Sequence, residues 1–141
     1  MTASVIYVGM DVHKDSIVIA VAEEGRSQAQ KLATIANDWA KLHKQLKSLQ
    51  KNGKKLHACY EAGPTGFGLC RRLREVGIDC IVVAPSLVPS KAGDRVKTDR
   101  RDAAKLAHFL RSGDLTEVPS PWPSPASGRG KLEAVALQMY G

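Results

Sequence analysis

Residues 5–22 read Val-Ile-Tyr-Val-Gly-Met-Asp-Val-His-Lys-Asp-Ser-Ile-Val-Ile-Ala-Val-Ala, and this stretch decides the fold. Val5 to Asp11 is a short β-branched run that ends on an acid. His13-Lys14-Asp15 reads as a turn. Ser16 to Ala22 is nearly continuous in apolar residues, the pattern of a strand covered on both faces and so central in its sheet. Glu23-Glu24-Gly25-Arg26 is a second turn, and Gln28 to Ile35 a third, weakly patterned strand. Strands joined by such short turns run antiparallel, so the chain opens as a three-stranded meander.

The period then changes. Asn37 is the predicted N-cap of a helix in which Trp39, Leu42, Leu46 and Leu49 recur at helical spacing, with Gly53 as its stop. Leu56 to Glu61 is a fourth strand, again ending on an acid. Gly63-Pro64-Thr65-Gly66 is a tight loop into a helix with Phe67, Leu69, Leu73 and Val76 on its apolar side, closed by Gly77. Ile78 to Val83 is a fifth strand. Ala84 to Lys97 reads as a polar loop with two prolines. Thr98 is the predicted cap of a helix over Asp99 to Arg111, with Ala103, Leu106, Ala107 and Leu110 facing a core. The order β-β-β-α-β-α-β-α predicts a mixed five-stranded sheet. Its later strands are parallel because a helix forms each crossover.

Composition bounds the function. The chain has 141 residues, enough for one domain, with 43% hydrophobic, 25% charged and only 5% aromatic residues, so aliphatic side chains must build the core. Lys and Arg number 21 against 14 Asp and Glu. That excess suits nucleic acid or an anionic membrane surface as partner, and equally a basic domain that is merely soluble. The apolar runs are too short to span a bilayer, and the N-terminus lacks the pattern of a signal peptide. Cys59, Cys70 and Cys80 form no C-x-x-C pair and read as buried, reduced thiols of a cytoplasmic protein. From Pro119 the composition turns Pro/Ser-rich, which predicts a 1–118 domain followed by a 119–141 tail that adds nothing to a core.

Four acids fall where chemistry is expected. Asp11 and Glu61 end the first and fourth strands, which are predicted parallel neighbours, so both sit at one rim of the sheet. Ligands of open α/β sheets bind beyond such strand ends. Asp99 and Asp102, at i and i+3 on one predicted helix face, can pack back toward that rim. Four carboxylates suit Mg²⁺ or Mn²⁺ and not zinc. Two such ions can activate a nucleophile and stabilise the leaving oxygen of a phosphodiester. Lys14, Arg95, Lys97, Arg100 and Arg101 lie nearby in sequence, with forks and ammonium groups able to meet backbone phosphates. Each acid alone also reads as a turn, loop or helix-start residue; the joint placement carries the argument.

The residues Val8-Gly9-Met10-Asp11-Val12-His13-Lys14-Asp15, Tyr60-Glu61-Ala62-Gly63-Pro64-Thr65-Gly66 and Asp94 to Ala103 together resemble the motifs of the DEDD-type insertion-sequence transposases. These are relatives of the pilin-gene invertases and are known as bridge-RNA-guided recombinases. The resemblance covers about residues 5–118. It implies an RNase H-like fold of the RuvC type, with Asp11, Glu61, Asp99 and Asp102 as the divalent-metal carboxylates. It also implies recombination of DNA under a structured guide RNA by a homo-oligomer. Members of that family continue into a second domain with a nucleophilic serine. The resemblance stops near Pro119, and no serine of the tail (Ser120, Ser124, Ser127) matches that nucleophile, so the chain reads as a truncated or isolated N-terminal part. Complete transposition is therefore not expected of it alone.

Other features carry less. Gly63, Gly66 and Gly68 lack the Lys-Ser/Thr of a P-loop and read as a tight turn. His13 stands beside Asp11, while His43, His57 and His108 are scattered without zinc spacing. Lys41, Lys44, Lys47 and Lys51 give the first helix either a solvated face or a nucleic-acid contact. Two further functions fit the same pattern: a non-catalytic RNA- or DNA-binding remnant, and a nucleotide-binding domain of the actin type, which also starts with a strand, an acid and a hairpin.

Overall fold

A computed structural model describes residues 4–51, 53–63, 66–89, 96–99 and 101–119, with residues 86–89 and 96–99 described through their backbone. Strands β1 (Val5–Val12), β2 (Ser16–Glu23) and β3 (Gln30–Ala36) come first, followed by helix α1 (Trp39–Leu49) and strand β4 (Lys55–Glu61). Helix α2 (Gly68–Glu75), strands β5 (Asp79–Val83), β6 (Ser86–Pro89) and β7 (Val96–Asp99), and helix α3 (Ala103–Ser112) complete the order. The main sheet runs β3-β2-β1-β4-β5. β1 pairs antiparallel with β2, and β2 with β3, whereas β1, β4 and β5 are parallel. This is the mixed five-stranded sheet that the sequence led to, with β2 and β1 inside it and β3 on an exposed edge.

Alternation along the strands makes two faces. Ile6, Val8 and Met10 of β1, Ile17 and Ile19 of β2, and Leu56, Ala58 and Tyr60 of β4 point to one side, where Leu42 and Leu46 of α1 and Cys70 and Leu73 of α2 cover them. The intervening positions point to the other side, where Cys59, Val83 and Leu106 of α3 form a second, smaller cluster. Helices therefore cover both faces. The three cysteines are buried free thiols.

Several local expectations are corrected. Asp38, not Asn37, caps α1, accepting from the Lys41 amide at 3.1 Å. The Asn37 side chain instead donates to the His13 carbonyl at 2.7 Å, tying the β1–β2 turn to the end of β3. In α2 the buried residues are Cys70 and Leu73, while Val76, past the helix end, is 42% exposed. The stretch expected to be a polar loop holds β6 and β7, an antiparallel pair in the register Ser86↔Asp99 and Val88↔Lys97. Pro85 and Pro89 bias the residues before them toward extended backbone, which favours a strand there.

The largest correction concerns the last helix. It was expected from Asp99 with Thr98 as its cap; it begins at Ala103, with Asp102 as N-cap accepting from the Lys105 amide at 2.8 Å. Asp99 ends β7, because its backbone pairs with Ser86 across the hairpin. The two aspartates therefore do not share a helix face. Gly113 ends α3 in the left-handed region (φ 80°), letting the Asp114 amide reach the Phe109 carbonyl at 3.0 Å. The tail beyond Pro119 lies outside the described residues, as do residues 64 and 65 of the Gly63–Gly66 loop.

Candidate carboxylate site at the sheet rim

The register of β1 on β4 sets the first two acids. Gly9 pairs with Cys59 and Met10 with Tyr60, so Asp11 and Glu61 follow as neighbours at the C-terminal ends of parallel strands. Both have the parity of Gly9 and Cys59, which places them on the face that α3 covers. α3 comes unusually near the sheet there: a Cβ on Gly9 would run into the Ala103 carbonyl oxygen and the Ala107 amide nitrogen. Only glycine permits that approach. It brings the first turn of α3 to the same rim.

Each rim acid is engaged. Asp11, with a side chain 16% exposed, meets His13 Nε2 at 2.9 Å, across the turn that follows β1. Glu61, only 8% exposed, accepts from Arg101 Nε at 2.8 Å. The other end of that guanidinium, Nη2, donates to the Ala84 carbonyl just after β5 at 2.5 Å. Arg101 therefore does not hold its fork free for phosphate, as the sequence suggested; it spans the ends of two neighbouring strands. Beneath this pair lies Cys59, whose thiol burial pushes up to about 12, with the Arg101 charge pulling down and the Glu61 charge pushing up further. That thiol stays protonated and takes no part as a nucleophile at neutral pH.

The second two acids arrive differently. Asp102 is exposed and occupied by its capping hydrogen bond. Asp99 ends β7 two residues before Arg101, which limits its Cα to within roughly 7 Å of the Arg101 Cα. Among the described residues, no group of three or more His, Cys, Asp or Glu is close enough to hold a metal ion. Lys14 is exposed in the β1–β2 turn beside the rim. Lys97 lies in β7, paired through its backbone with Val88. Arg95 and Arg100 lie outside the described residues. The lysines of α1 are exposed on the opposite side of the sheet from α3.

Sequence reasoning missed the Arg101–Glu61 pair. One signal was present: Glu61 closes an apolar strand, where an enclosed carboxylate needs a cation, and Arg101 was one of the arginines on offer. His57 pairs with Asp79 at 3.5 Å, and His43 stacks on Trp39 with ring centroids 5.2 Å apart, both away from the rim. No helix among the described residues is long and apolar enough to cross a membrane.

Comparison with known proteins agrees with these motifs. Over 113 residues the chain is 49% identical to y4qE of Sinorhizobium fredii (strain NBRC 101917 / NGR234), which is assigned as a transposase; the match covers 79% of this chain and 29% of that one. Over 107 residues it is 42% identical to the transposase for insertion sequence element IS1533 of Leptospira borgpetersenii, covering 76% of this chain and 31% of that one. The chain thus spans about three-tenths of the length of the curated relatives it matches. Among solved structures it is similar to Thermus thermophilus RuvC, with a TM-score of 0.46 and 13% identity over 80% of this chain and 99% of that one. Residues 8–124, most of the chain, match the family of IS110-type DEDD transposases, and the chain belongs to that family.

Proposed function

We propose that residues 1–118 are the metal-binding domain of a DNA recombinase that acts on phosphodiesters in the cytoplasm, with a structured guide RNA and further copies of the chain as partners. One observation carries this reading: Asp11 and Glu61 end adjacent parallel strands on one face, at the rim where the N-terminus of α3 arrives. Carboxylate oxygens are the donors a hard cation takes, so the residues suit Mg²⁺ or Mn²⁺ in chemistry. Asp11 and Glu61 would hold the ion from the sheet, and Asp99 and Asp102 from the end of β7 and the start of α3. When bound, the ion supplies positive charge at a scissile phosphate. His13 fixes the Asp11 carboxylate. Lys14, Arg95, Lys97 and Arg100 neutralise the neighbouring backbone phosphates, and Arg101 joins them once it leaves Glu61.

Thermal melting with and without Mn²⁺ tests this. A ligand that binds only the folded state at about 100 times its Kd adds roughly 2.7 kcal/mol of stability. The wild-type Tm is expected to rise with Mn²⁺, and Asp11→Asn to lose most of the rise. A wild-type Tm that ignores Mn²⁺ and Mg²⁺ overturns the reading.

A second reading is favoured by the chain's net charge of +7: a domain that binds RNA or DNA without cutting it. It predicts salt-sensitive binding. Mg²⁺-dependent cleavage of a branched DNA junction by the purified chain excludes it.

A further inference from the structure

We propose that Arg101 is a built-in counter-cation that occupies Glu61 until a divalent ion displaces it, so that metal entry frees a guanidinium for phosphate. The inference rests on the metal reading of the rim given above, and adds a residue that competes with the ion.

Three observations support it. First, Glu61 is nearly enclosed, with a side chain 8% exposed. A carboxylate taken so far out of water needs a partner charge. Arg101 supplies it, itself 13% exposed, through Nε to Glu61 at 2.8 Å and Nη2 to Ala84 at 2.5 Å. Two anchors on separate strand ends fix the plane of the guanidinium, which a lysine could not reproduce. Second, the competitor lies inside the acidic motif: Asp99 stands two residues before Arg101 and Asp102 one after it. A cation drawn by Glu61, Asp99 and Asp102 arrives next to a guanidinium, and like charges at such range repel. Glu61 then serves one cation or the other. Third, the surroundings confine the change. α3 is pinned at its start by the Gly9 contact. At its end, Arg111 donates to the carbonyls of Glu23 at 2.8 Å and Ser27 at 2.7 Å. Release of Glu61 therefore moves the Arg101 side chain, not the helix.

Isothermal titration of the 141-residue chain with MnCl₂ tests this. Arg101→Gln removes the competitor, so its Mn²⁺ Kd is expected to fall about tenfold while its metal-free Tm also falls, because Glu61 is left unpaired. Arg101→Lys keeps one charge without the fork and is expected between wild type and Arg101→Gln on both measures. In the unaltered chain, the Arg101 Nε–H resonance is expected to shift and broaden as Mg²⁺ is added. Tighter Mn²⁺ binding in Arg101→Gln supports the proposal even if wild type binds too weakly to detect. Wild-type binding with unchanged or weaker Kd in both variants, or an Nε–H signal that stays in place, overturns the proposal and leaves the metal site standing. No binding by any of the three chains overturns both.

Discussion

The two faces of the central sheet are built to different rules. On the face covered by α1 and α2, large side chains interlock: Met10, Ile17, Ile19, Leu42, Leu46, Leu56, Tyr60 and Leu73 are all buried. On the face covered by α3, the sheet offers Gly9, Ala20, Ala22 and Cys59, and the helix answers with Ala103 and Ala107. The first face is thick and carries most of the apolar burial. The second is thin, and its thinness has a use. Small residues let a helix backbone lie almost on the strands, which holds Arg101, just ahead of the helix, against the Glu61 carboxylate at a strand end. Stability is concentrated where the acids are not, and the acids sit where the layers are closest.

The thick face gives the largest expected effect. Leu46 is fully buried between α1 and the sheet. Leu46→Ala removes its contacts and leaves a cavity, at a cost of about 2–5 kcal/mol. Urea unfolding is expected to show that loss with the response to Mn²⁺ intact, since α1 lies on the far side of the sheet from the rim. A loss below about 1 kcal/mol would mean that the thick face is not where stability is held.

Gly9→Ala should cost less and do more to function. The added methyl is small, but it meets the backbone of α3, which cannot rotate away as a side chain would. Overpacking of this kind costs about 1–3 kcal/mol. The helix must also move off the sheet, carrying Asp102 with it and straining Arg101 from Glu61. The expected outcome is a lower Tm together with a weakened response to Mn²⁺. The comparison of faces breaks if Gly9→Ala behaves like Leu46→Ala, losing stability and keeping the metal response.

How much was legible in the sequence follows the same division. The thick face writes itself as pattern: Trp39, Leu42, Leu46 and Leu49 at helical spacing, and β-branched runs that alternate or stay apolar. The opening meander, the parallel pairing of β1 and β4 and the common rim of Asp11 and Glu61 were readable, because short turns and helical crossovers fix strand direction. The thin face has no such signature. Ala103 and Ala107 look like ordinary helix residues, and nothing adjacent in sequence says that Gly9 lies under them. The connection to α3 was misread for a different reason. Thr98 and Asp99 make as good a local cap as Asp102, and only the pairing of Asp99 with Ser86, thirteen residues away in the chain, decides between them. Arg101 was read as free because its partner, Glu61, comes from a strand forty residues earlier.

The two helix caps give the mildest losses, and they separate the two faces by metal response alone. Asp38 and Asp102 do the same local work: each accepts a hydrogen bond from the amide three residues on, Lys41 at 3.1 Å and Lys105 at 2.8 Å. Replacing either by Ala removes a cap worth about 0.5–2 kcal/mol. Asn caps nearly as well as Asp, so Asp38→Asn and Asp102→Asn should each stay within about 1 kcal/mol of wild type, the residue reflecting a lost negative charge at a helix N-terminus. Stability alone therefore cannot tell the two caps apart. The proposed metal role can, because an amide oxygen is a poor substitute for a carboxylate on a hard cation. Asp38→Asn should keep the rise in Tm with Mn²⁺, and Asp102→Asn should lose much of it at nearly unchanged stability. If both Asn variants respond to Mn²⁺ as wild type does, Asp102 is a cap and nothing more, and the metal set contracts to the acids that precede it in the chain.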